Sequence, residues 1–136
     1  MRNSSRPVRT AREQPTIVVV DDQAALREAT ENLLKSAGLK AVSFASAEDF
    51  LQAAALDGAG CLILDVRLPG MSGLELQQHL AANGIHVPIV FITAQEDSDG
   101  EMRARALRSG ALAFLRKPFS DEDLLNAVRS ALETRK

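Results

Sequence analysis

Five short apolar runs, each followed by a stretch patterned as a helix, constrain this chain more than any other feature of its sequence. The runs are Thr16 to Val20, Lys40 to Phe44, Cys61 to Leu64, Pro88 to Thr93 and Leu112 to Arg116. Several are continuous in apolar residues rather than alternating, as strands are when both faces of a parallel sheet are covered. Strands that alternate with helices build βαβ units, so the expected architecture is α/β, a doubly wound five-stranded parallel sheet. A chain of 136 residues suffices for one such domain and falls short of two.

The helix signals agree with that division. Leu26, Ala29, Leu33 and Leu34 follow a helical stripe that Gly38 can end in a left-handed conformation. A second helix from about Ser46 rests on Phe50, Leu51 and Ala54. Ser72 and Glu75 form a capping box ahead of Leu74, Leu76 and Leu80, with Gly84 as the stop; Ser120 and Asp123 act similarly ahead of Leu124, Leu125, Val128 and Leu132. The fourth helix, between Asp99 and Gly110, offers mainly Met102, Ala106 and Leu107, an apolar face thin enough to make it marginal.

Charge is uneven. Residues 1 to 15 hold Arg2, Arg6, Arg9 and Arg12 against Glu13, together with Pro7 and Pro15, and read as a disordered, solvated basic tail. The body, residues 16 to 136, is acidic, with 12 Lys and Arg against 17 Asp and Glu, which argues against direct nucleic-acid binding. No apolar run reaches membrane-span length and no signal peptide opens the chain, so a cytoplasmic protein without membrane contact is expected. Cys61, the single cysteine, sits beside Leu62, Ile63 and Leu64 and reads as a small buried hydrophobe.

Ligands of open parallel sheets collect at the carboxyl ends of the strands. Here those ends carry Asp21 and Asp22, then Asp65, then Thr93, then Lys117 followed by Pro118. Three carboxylates packed together require either protonation of one or a bound cation. With oxygen donors alone the suited ion is Mg²⁺; His79 and His86 lie on or after the third helix, away from the strand ends, which disfavours zinc. A hydroxyl from Thr93 and an ammonium from Lys117 turn such a site toward phosphoryl chemistry, with Asp65 as the central nucleophile. An aspartyl phosphate serves either turnover or a reversible signal, and the residues alone do not separate the two.

Four motifs in order carry a resemblance over residues 16 to 136: Val-Val-Val-Asp-Asp at 18 to 22, Leu-Ile-Leu-Asp-Val-Arg-Leu-Pro-Gly-Met-Ser-Gly at 62 to 73, Phe-Ile-Thr-Ala at 91 to 94 and Phe-Leu-Arg-Lys-Pro-Phe at 114 to 119. The chain resembles the CheY-like receiver domains of response regulators, and Asp-Val-Arg-Leu-Pro-Gly-Met-Ser-Gly-Leu-Glu-Leu at 65 to 76 is similar to receivers of the FixJ type. The resemblance implies a strand order of 2-1-3-4-5 and a two-component signalling role. It makes Asp65 the phosphoacceptor and Asp22, Asp65 and the backbone carbonyl of Arg67 ligands of Mg²⁺, with Asp21 positioning metal-bound water. Thr93 and Lys117 take the places that contact the phosphoryl group, with help from the amide of Val66.

It also implies a switch in which Thr93 and Phe114 move together and alter the face of the fourth helix, fifth strand and fifth helix; from composition alone Phe114 is equally a core residue. Trans is the ordinary expectation at Lys117-Pro118, whereas relatives are cis there. Arg105 and Arg108 read as a solvated helix face, and Arg67 and Gln95 border the site. The implied partners are a histidine kinase or phosphotransfer protein and, through the switch face, a second copy of the chain. FixJ-type receivers usually precede a DNA-binding domain; none follows here, so the chain reads as a standalone receiver or one taken from a longer regulator, with any DNA control indirect.

Other classes fit less well. A haloacid-dehalogenase-type phosphatase needs an Asp two residues after the nucleophile, where Arg67 stands, so the chain is expected not to be an enzyme beyond its own phosphorylation and dephosphorylation. A flavodoxin-like carrier would want a Ser/Thr/Gly phosphate loop where Asp21 and Asp22 repel phosphate. A degenerate receiver that binds partners without phosphorylation stays open, because intact residues do not prove a used site.

Overall fold

A computed structural model of the chain describes residues 14–53, 58–94 and 100–134. The elements alternate as β1 (Thr16–Val20), α1 (Ala24–Ser36), β2 (Lys40–Phe44), α2 (Ala47–Gln52), β3 (Ala59–Asp65), α3 (Gly73–Ala82), β4 (Ile89–Thr93), α4 (Glu101–Arg108), β5 (Ala113–Arg116) and α5 (Asp121–Thr134). All neighbouring strands are parallel, in the order β2-β1-β3-β4-β5. The basic tail lies outside the described residues except for Gln14 and Pro15, as do Ala54 and Gln95.

Strand parity divides the core into two layers. Val18, Val20, Leu62, Leu64 and Phe91 pack with Phe50, Leu76, Leu80 and Ala106 on the face covered by α2, α3 and α4. Ile17, Val19, Cys61, Ile63, Val90 and Ile92 pack with Leu34, Leu124, Val128 and Ala131 under α1 and α5. β3 is buried at all seven positions, which is why its sequence is a continuous apolar run rather than an alternation. Cys61 is one of those positions, and burial pushes its thiol up to about 12, so it is inert packing.

Several boundaries differ from the sequence reading. Pro88 lies before β4 because it has no N–H for the ladder, although its carbonyl accepts from Leu62. β3 starts earlier, at Ala59, and β5 later, at Ala113. In α1 it is Thr30 that is buried, whereas Ala29 faces solvent; Leu34 is buried and Leu26 and Leu33 partly so, and a small polar residue takes the remaining core position. The capping box of Ser72 and Glu75 is complete, and Ser120 Oγ accepts from the Asp123 amide at 2.9 Å. Gly38 and Gly84, with φ of 86° and 72°, end α1 and α3 alike, the next amide reaching back to Leu34 O and Leu80 O.

Candidate functional site

The carboxyl ends of β1, β3, β4 and β5 lie side by side, and main-chain hydrogen bonds set them there. The Asp21 amide donates to Phe44 O at 3.1 Å, the Val66 amide to Ile92 O at 3.0 Å and the Lys117 amide to Thr93 O at 2.7 Å. Carboxylate oxygens of Asp21, Asp22 and Asp65 gather within 4.8 Å of one another. Asp21 is wholly buried and Asp65 is 4% exposed, while Asp22 is open to solvent.

Each buried carboxylate is held in the same way. Asp65 Oδ1 accepts from the Arg67 amide and Asp21 Oδ1 from the Gln23 amide, both at 3.0 Å. The guanidinium of Arg27 donates to the Asp21 carbonyl at 2.8 Å and ties α1 to this strand end. Lys117 Nζ donates to Asp65 Oδ2 at 2.9 Å and lies 3.2 Å from Asp21 Oδ2. That second approach is an ion pair without hydrogen-bond geometry, and Asp21 Oδ2 stays a buried oxygen that accepts no hydrogen bond. Burial raises the Asp65 carboxyl above its ordinary value, assisted by the charge of Asp21 and opposed by Lys117 and the Arg67 amide.

One ammonium is too little positive charge for three carboxylates, two of them out of water. An oxygen-only donor set with an unsatisfied buried oxygen fits a hard divalent cation, and both histidines are exposed on α3 and the loop after it. A Cβ on Gly73 would run into the Asp65 carbonyl and lie 3.0 Å from the Val66 Cα, so the start of α3 is pressed against the back of the acidic strand end.

Thr93 lies one residue beyond Ile92, the partner of Asp65 in the sheet. Its hydroxyl is buried and has no hydrogen-bond partner among the described residues. With Phe114, Gly100, Arg103 and Arg116 it lines a small cavity of about 80 Å³. Phe114 is half-buried, its ring 6.1 Å from that of Phe91 at 45°. The Lys117-Pro118 peptide is cis, against the ordinary trans expectation for the sequence alone.

The structure thus joins Asp21, Asp22, Asp65 and Lys117 in one cluster and sets Thr93 with Phe114 beside it. The Val66 amide is different: it is engaged with Ile92 O, because sheet pairing runs one residue past Asp65, and it is the Arg67 amide that reaches the Asp65 carboxylate. Arg67 and Asp22 line an open groove of about 580 Å³ that runs past Met102 and Arg105. Gln23, which sequence reasoning did not single out, accepts from Lys117 Nζ at 2.9 Å. The available signal was its place directly after the Asp pair, where a better helix-capping residue is expected.

A family model described as a response regulator receiver domain matches residues 17–129. Nodulation protein W of Bradyrhizobium diazoefficiens is 48% identical over 117 residues, 86% of this chain and 51% of that protein. Response regulator protein TmoT of Ectopseudomonas mendocina is 45% identical over 121 residues, 89% of this chain and 54% of that protein. Among solved structures, the response regulator StyR superposes with a TM-score of 0.81 at 46% identity, covering 89% of this chain and 60% of StyR. FixJ-N does so with a TM-score of 0.79 at 34% identity, covering 88% and 94%. The chain spans about half the length of the curated relatives it matches.

Proposed function

This chain belongs to the response regulator receiver family of two-component signalling, and from that premise we propose that Asp65 is its phosphoacceptor, with Mg²⁺ held by Asp22, Asp65 and the Arg67 carbonyl. The observation that carries the reading is the setting of Asp65: nearly buried at the end of the central strand, with Lys117 on one oxygen and two further carboxylates within 4.8 Å.

A bound Mg²⁺ supplies positive charge that lets an anionic carboxylate and an anionic phosphoryl group approach each other. An Asp65 oxygen forms the new bond to phosphorus, the P–N bond of a histidine kinase or phosphotransfer protein breaks, and the imidazole leaves with the electron pair. Lys117 transfers its hydrogen bond from Asp65 Oδ2 to a phosphoryl oxygen. Asp21, whose buried Oδ2 accepts no hydrogen bond among the described residues, would orient water around the ion. The unpartnered Thr93 hydroxyl gains its missing acceptor in the phosphoryl group, and Phe114, which shares its cavity, follows. The changed surface is that of α4, β5 and α5, where Leu107 and Leu112 are exposed at 37% and 36%; a homodimer through that face is part of the proposal.

Beyond its own phosphorylation and dephosphorylation we assign the chain no catalysis. None of the described helices is long and apolar enough to cross a membrane; a cytoplasmic location is proposed with the family. TdiR of Thauera aromatica is a transcriptional regulatory protein, and a part in transcription is proposed for this chain through whatever output it serves.

The test is intact mass after incubation with Mg²⁺ and acetyl phosphate, for the parent and Asp65→Asn. One added phosphoryl group that requires both Mg²⁺ and Asp65 is the expected result. A folded parent that takes up none, from acetyl phosphate or from histidine kinases, would make the chain a phosphorylation-independent binding module.

A further inference from the structure

Gln23 stands at the N-cap of α1 and does not cap it. Its backbone is extended, with φ −87° and ψ 105°, yet its side chain makes no hydrogen bond to the helix. Ser, Thr, Asp or Asn at this place would satisfy a free amide of the first turn. The Gln23 side chain turns instead to Lys117, 94 positions away, and accepts from Nζ at 2.9 Å, the same distance at which Lys117 meets Asp65. Through its own amide it also fixes Asp21 Oδ1. One residue therefore grips both the cation of the site and a buried carboxylate, at the expense of a helix cap.

We propose that Gln23 is a positioning residue for Lys117, whose ammonium it shares with Asp65 through a neutral oxygen, so that Lys117 can release Asp65 Oδ2 without leaving the site. The inference rests on the reading of Asp65 as phosphoacceptor and Lys117 as a phosphoryl contact. Before reaction the Arg67 amide occupies Asp65 Oδ1 and Lys117 occupies Oδ2. A carboxylate attacks through a lone pair, so Lys117 has to move from Oδ2 to the phosphoryl group without leaving the site. A neutral amide oxygen retains Nζ during that exchange while leaving its charge uncompensated for the incoming oxygens. Without it, Lys117 has two carboxylates for partners and tightens on Asp65. A Glu at position 23 would add a fourth carboxylate and hold the ammonium too strongly.

With acetyl phosphate the step balances simply. The bond from Asp65 oxygen to phosphorus forms, the bond from phosphorus to the acetyl oxygen breaks, acetate departs with the electron pair, and Lys117 stays protonated throughout.

The experiment follows phosphorylation of the full chain by acetyl phosphate and Mg²⁺ over a range of donor concentrations, with thermal unfolding alongside, for the parent, Gln23→Ser, Gln23→Met and Gln23→Glu. Ser is the better cap but cannot reach Lys117, so Gln23→Ser should melt higher and yet react about fivefold slower at saturating donor, with half-saturation unchanged. Gln23→Met, which keeps the length and loses the oxygen, should be slowed as much, and Gln23→Glu should not restore the rate. Parent-like rates in the Ser and Met variants, a slowing that tracks lost stability, or a defect confined to half-saturation would each overturn the proposal. A parent that takes no phosphoryl group on Asp65 would instead remove the reading beneath it.

Discussion

At one edge of the sheet, β2 is fastened by side chains from the helices beside it: Ser43 Oγ donates to Glu31 of α1 at 2.7 Å, and Phe44 meets Phe50 of α2 edge-on at 5.8 Å. At the other edge, β5 is only four residues long and has no fully buried position. Its neighbour α4 has eight residues, buries Ala106 alone, starts at Gly100 without a side-chain cap and exposes Arg103, Arg105 and Arg108. Part of what anchors α4 comes from α3: the buried Gln77 donates to the carbonyls of Ala106 and Ser109 at 3.2 and 3.4 Å. Two edges of one sheet thus differ in how much of their stability is their own. The thinly held edge adjoins the buried Thr93 hydroxyl, so a change of contacts there meets less packing resistance than the same change at β2.

That difference can be broken from either side. The largest effect is expected of Phe50→Ala, which removes a fully buried ring from the well-fastened edge and should cost about 3–5 kcal/mol in urea unfolding. A loss below about 1 kcal/mol would mean that the Phe44 and Phe50 contact is not what holds β2.

Gln77→Leu acts on the other edge. It keeps side-chain volume but withdraws the donors from α4; the Ala106 carbonyl retains the Ala111 amide at 3.0 Å, so the cost should be about 1 kcal/mol. Hydrogen exchange should rise at the amides of α4 and stay unchanged in α1 and β3. Equal acceleration throughout would show that α4 opens only with the whole domain.

The smallest effect sharpens the comparison through pH. The hydrogen bond from Ser43, then that from Lys35, holds the Glu31 carboxyl below its ordinary value. A depressed folded-state value stabilises fully above the ordinary carboxylate range, and the stabilisation disappears as pH falls through the lower folded value. Ser43→Ala should therefore cost about 0.3 kcal/mol at neutral pH, since the pair is part-exposed and screened. The gap from the parent should close as the medium is acidified through that range. A gap independent of pH would assign the loss to packing.

Much of this molecule is decided by local order in its sequence. Apolar runs and helical stripes record which residues are buried, so five strands, five helices and the polar residues at the strand ends are legible one segment at a time, as are the Ser72 and Glu75 capping box and the glycine stops. Other features depend on partners far away along the chain. Thr30 rather than Ala29 enters the core, a choice that helical spacing from Leu26 and Leu33 leaves open and packing on the sheet decides, and Gln77 can be buried only where the end of α4 offers it carbonyls. The Val66 amide is occupied because β4 pairs one residue past Asp65, and Gln23 meets Lys117 only because strand order brings β1 and β5 to one site across 94 positions. Periodicity encodes burial; the identity of a hydrogen-bond partner is settled only when the sheet closes the distance between segments that the sequence keeps apart.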